Sequence, residues 1–128
     1  LTSSSIEMAS KGKLGIELNL NKVPCRESNM SPYEIMLSES QERMLLIINS
    51  GKEKNAKKIF SKWDLDFSII GKTSNSKNLV LNFNNREVAK LPISSLSTNV
   101  PIYDRKWKKN IKSKKTNFLE KLKNFKIK

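Results

Sequence analysis

The chain has 128 residues, a hydrophobic fraction of 37% and a net charge of +13. That length allows one compact domain with a modest core and not two, and no apolar run approaches the ~20 residues that cross a bilayer. A lone Cys25 and the absence of histidine exclude an internal disulfide, a cysteine zinc site and any Ser-His or Cys-His nucleophile pair from this stretch of polypeptide.

The charge is unevenly placed. Residues 1–103 carry 14 Lys+Arg against 10 Asp+Glu, a balance of +4, whereas residues 104–128 carry 11 against 2, a balance of +9. The tail makes the chain basic, and the rest is close to ordinary. The single cysteine suits a reducing cytoplasm. The chain starts at Leu1, with no basic region and no long apolar stretch behind it. From this we expect no signal peptide, and a start inside something longer.

Ser4-Ser5-Ile6-Glu7 has capping-box spacing and predicts a short helix to about Lys11, with Gly12 as its stop. The alternation in Leu14-Gly15-Ile16-Glu17-Leu18-Asn19-Leu20 predicts a half-buried strand, and residues 21–30 read as a loop. Ser31-Pro32-Tyr33-Glu34 joins an N-cap serine, proline at the first helical position and glutamate three residues after the cap. This second helix should end near Ser38. Met44-Leu45-Leu46-Ile47-Ile48 is a continuous apolar run, too short for a helix and suited to a central strand. Ser50-Gly51-Lys52-Glu53 repeats the capping box, and Ala56, Ile59, Phe60 and Trp63 share one face of the helix that follows.

Phe67-Ser68-Ile69-Ile70 reads as the next strand and Asn75-Ser76-Lys77 as a turn. Leu79, Leu81 and Phe83 alternate, Asn84-Asn85 suits a tight hairpin turn, and Val88 and Leu91 return on the other arm, which Pro92 closes. Pro101-Ile102-Tyr103-Asp104 looks like the last ordered piece. The expected fold class is α/β (α+β), with helices packed on a mainly antiparallel sheet.

Glu39-Ser40-Gln41 is the candidate binding triplet. Chemistry alone reads it as a solvated connection between helix and strand. Its position gives a second reading, because groups entering a central strand stand on a rigid element. A carboxylate accepts from sugar hydroxyls, and a serine hydroxyl and a glutamine amide both donate and accept. Each neutral bond contributes only ~0.5–1.5 kcal/mol net, so the triplet would position a ligand more than dominate its affinity. Glu42 and Arg43 read as a surface ion pair, Ser3-Ser4-Ser5 as helix capping in preference to a phosphate site, and Asp64 with Asp66 as a helix-to-strand turn in preference to a metal site. In the tail, Phe118, Leu119, Leu122 and Phe125 share a helical face ringed by Lys121, Lys123 and Lys126. That pattern suits phosphate contacts or an anionic membrane surface, but a solvated linker is preferred.

Several stretches together carry a resemblance. They are Leu1-Thr2-Ser3-Ser4-Ser5 with Glu7-Met8-Ala9, Gly15-Ile16-Glu17-Leu18, Lys22-Val23-Pro24, residues 31–44, Lys62-Trp63-Asp64-Leu65-Asp66, Ile70-Gly71 and Pro101-Ile102-Tyr103-Asp104-Arg105. In this order and spacing the chain resembles the large, synthetase subunit of the phosphoribosylformylglycinamidine synthases. The resemblance implies the C-terminal-type domain of that subunit's first half, of the kind shared with aminoimidazole ribonucleotide synthetase, over residues 1–105. Residues 106–128 would be a Lys-rich linker or partial helix toward a second half.

The resemblance also implies chemistry. Such enzymes use ATP and magnesium to activate the amide oxygen of formylglycinamide ribonucleotide, and ammonia from a glutaminase subunit or fused glutaminase domain then displaces phosphate. A small accessory subunit is a further implied partner; nucleic acid and membrane are not. Glu39, Ser40 and Gln41 inherit substrate contacts. No catalytic, cofactor-binding or metal-binding residue is carried over, because the catalytic histidine and the ATP and magnesium ligands fall outside this chain. This stretch alone would be inactive. Two alternatives from other classes are a small basic nucleic-acid-binding module and a scaffold domain that pairs through an open sheet edge.

Overall fold

In Gly15-Ile16-Glu17-Leu18-Asn19-Leu20, alternation puts Ile16, Leu18 and Leu20 on one side, and all three are buried. This segment forms β1 (Gly15–Asn19), around which the fold is organised. The structure, a computed structural model, describes residues 1–38, 43–99 and 101–109. β1 pairs antiparallel with β2 (Gly71–Ser74) and parallel with β3 (Asn78–Phe83), and β3 pairs antiparallel with β4 (Arg86–Pro92). The sheet order is β2-β1-β3-β4, so the expectation of helices on a mainly antiparallel sheet holds.

Helices α1 (Thr2–Gly12), α2 (Pro32–Leu37) and α4 (Ile93–Ser97) supply the other side of the core. Ile6, Ala9, Ile35, Met36 and Ile93 meet Ile16, Leu18, Leu20, Val23, Leu79 and Leu81 there. Complete burial of Leu18, Leu20 and Leu79 contributes roughly 1.5–3 kcal/mol each. The opposite face of β1 is polar: Glu17 pairs with Lys72 across the β1–β2 ladder at 3.2 Å. Among the described residues no helix is long and apolar enough to cross a membrane.

Two glycines set the strand spacing. A Cβ at Gly71 would collide with the Glu17 carbonyl, and one at Gly15 would lie 2.7 Å from the Asn78 carbonyl oxygen. The β3–β4 hairpin turns on Asn84 (φ 50°) and Asn85 (φ 59°), the left-handed pair expected of its tight turn. Asn21 locks that turn. Its Nδ2 donates to Asn84 Oδ1 and its Oδ1 accepts from the Asn84 N–H, both at 2.8 Å.

The structure corrects several expectations. Residues 44–48 are not a central strand. They have no regular secondary structure, and Met44 is 84% exposed. Both hydrogen-bonding edges of β1 are taken by β2 and β3, which leaves no central position in this sheet for the run. The strand expected over residues 67–70 begins instead at Gly71; Phe67 stacks on Phe60 of α3 (Glu53–Lys62), with ring centroids 5.4 Å apart.

The helices depart from expectation as well. α1 begins at Thr2, so Ser4 is no cap; its hydroxyl donates to the Leu1 carbonyl, and the left-handed stop is Lys13 and not Gly12. The Ser50 box is absent: α3 (Glu53–Lys62) starts after Lys52 without a side-chain cap, although the backbone N–H groups of Glu53 and Gly51 hold the Glu53 carboxyl below its ordinary value. Ala56 and Phe60 are half-buried, whereas Ile59 and Trp63 are exposed. In β4 a bulge sets Glu87 opposite Asn82 and Ala89 opposite Leu81, so Ala89 packs inward while Val88 and Leu91 remain exposed. Pro92 does close β4, but it also introduces α4, which carried no strong sequence signal. Residues 101–104 are exposed and have no regular secondary structure.

Gly71→Ala should lower stability by about 1–3 kcal/mol, since the new methyl forces β1 and β2 apart. Gly12→Ala should be neutral to stabilising by up to ~1 kcal/mol, since its Cβ would meet Leu14 at an ordinary 3.6 Å. Urea unfolding of both variants beside the parent checks the pair; equal midpoints for all three would contradict the steric account.

Candidate functional site

The end of α2 is built before any ligand is considered. Pro32 at the first turn and Ser31 at the N-cap start the helix as its residues predict. Ser31 Oγ accepts from the Glu34 N–H at 3.3 Å, and Glu34 Oε2 accepts from the Ser31 N–H at 2.8 Å and the Ser31 hydroxyl at 2.6 Å. The Ser31 hydroxyl, then the Ser31 N–H, hold the Glu34 carboxyl below its ordinary value of 4.5. Ile35 and Met36 anchor the helix in the core.

The C-terminus of α2 is fixed from two other directions. The Thr2 hydroxyl donates to the Met36 carbonyl at 2.6 Å, joining the start of α1 to the last turn of α2. The Arg43 guanidinium donates to the Ser38 carbonyl at 2.8 Å and to the Pro24 carbonyl at 3.4 Å. α2 has no basic residue in its own last turn, and Arg43 supplies the positive charge there from beyond the helix. The predicted triplet Glu39, Ser40 and Gln41, with Glu42, lies outside the described residues. What the structure gives is its frame: Ser38 on one side, Arg43 on the other, and a hydrogen bond between them.

With that frame in place, the comparisons decide the family. Residues 1–84 match the family of AIR synthase related protein, C-terminal domain. The chain belongs to this family. It is 69% identical over 109 residues to phosphoribosylformylglycinamidine synthase subunit PurL of Pelagibacter ubique (strain HTCC1062), covering 85% of this chain and 15% of that protein. T. maritima PurL complexed with ADP superposes with a TM-score of 0.73 and 30% identity over 86% of this chain and 19% of that one. T. maritima PurL complexed with FGAR gives 0.69 and 28% identity over 88% and 19%. The chain thus spans between 14% and 16% of the length of the curated relatives it matches. The resemblance and fold class read from the sequence are both upheld.

Other sequence candidates fare differently within this AIR synthase-related domain. Ser5 is fully buried with its hydroxyl on the Thr2 carbonyl at 3.0 Å, a packing role inside α1. Asp64 (φ 54°) ends α3 in the left-handed turn expected of a helix-to-strand connection. Among the described residues no three His, Cys, Asp or Glu side chains come together to hold a metal. The lysine-ringed face of the tail lies outside the described residues. Arg43 takes backbone carbonyls as partners at a helix end without its own cation, and its expected pairing with Glu42 involves a residue outside the described ones. Sequence reasoning also missed a shallow depression of about 260 Å³ on the polar face of the sheet. Polar residues Glu17, Asn19, Lys22, Lys72 and Asn82 line it together with Leu18, Ile69 and Ile70, brought together by the pairing of β1 with β2 and β3 and by the turn after β1.

Because Glu34 titrates lower when folded, its contribution is fully present above pH 4.5 and is lost as the pH falls through the lowered value. Thermal unfolding between about pH 7 and about pH 3 should show the parent's advantage over Glu34→Gln shrinking with acid. Ser31→Ala should cost ~0.5–2 kcal/mol at neutral pH. A Glu34→Gln difference that stays constant with pH would contradict the assignment.

Proposed function

We propose that this chain is a segment of an ATP-dependent synthetase that converts formylglycinamide ribonucleotide to the formylglycinamidine ribonucleotide in purine biosynthesis, and that it contributes part of the substrate pocket. The observation that carries the reading is the 69% identity to a PurL subunit. Alignment with a PurL structure complexed with FGAR supports it further. In the reaction the substrate's amide oxygen is activated as a phosphoryl ester, and ammonia then attacks the same carbon, displaces phosphate and leaves the amidine. This segment binds and orients. Glu39 accepts from ribose hydroxyls, while Ser40 and Gln41 hold the amide or formyl group. The short spacing from a capped helix end restricts where these groups can go, which favours one bound pose.

ATP use is supported by the complex of T. maritima PurL with ADP. On this reading the groups that hold nucleotide and magnesium lie outside the chain. A glutaminase subunit or domain and a small accessory subunit would complete the assembly in the cytoplasm. Residues 1–105 would form the domain, and residues 106–128 a basic linker toward a second half. The high lysine content of the tail is then a matter of solubility and spacing, not of nucleic-acid recognition.

In the intact enzyme, Glu39→Ala and Gln41→Ala should each raise the KM for the ribonucleotide several-fold, about 0.5–1.5 kcal/mol per lost bond, with unfolding midpoints unchanged. Steady-state kinetics at saturating ATP reads this. An unaltered KM in both variants would refute the site assignment.

A further inference from the structure

We draw no further inference here: the strongest candidate, the exposed apolar run of residues 44–48 that precedes α3, carries none because nothing among the described residues shows what covers it.

Discussion

The close approach of three backbones around β1 governs this structure. β1 is hydrogen-bonded on both sides, antiparallel to β2 and parallel to β3, and the approach leaves no room for a side chain at Gly71 or Gly15. With β1 held centrally, Ile16 and Leu18 face the helices and Glu17 faces away. Leu79 and Leu81 of β3 fall beside them in register, which makes one continuous apolar floor for α1, α2 and α4. A slip of one residue in any of these pairings would turn a leucine outward and a polar group inward.

The junction after α2 depends on that floor. α2 has only six residues, too few to be stable alone. It persists because two of its side chains are buried, its N-terminus is capped reciprocally, and its C-terminus accepts hydrogen bonds from Thr2 and Arg43. Each polar contact is modest, but together they stop the helix at Ser38 and leave the next four residues a defined point of departure.

The rest of the surface is of a different kind. The Glu17–Lys72 pair is substantially exposed, and such pairs contribute about 0–1 kcal/mol. α3 buries none of its residues, and residues 44–48 present an apolar run without regular pairing. These features accompany a chain that spans 14–16% of the length of its curated relatives. The core of the fold is the β1 framework and its three packed helices.

The local rules that the residues obey by themselves survived folding. Period-two alternation placed β1 and β3, the paired asparagines placed the hairpin turn, and Ser31-Pro32 with Glu34 placed the start of α2. These signals work because their partners are within a few residues, so no distant contact can overrule them. Much of the family resemblance was legible for the same reason, in contiguous stretches. Three things were not legible: that β1's two edges are already occupied, which displaces the run at residues 44–48; that Phe67 is drawn toward Phe60; and that Arg43 bonds to Pro24 and Ser38. Each depends on a partner brought near only by tertiary structure, and an apolar or cationic side chain does not encode in its own neighbourhood which of several distant partners it will meet.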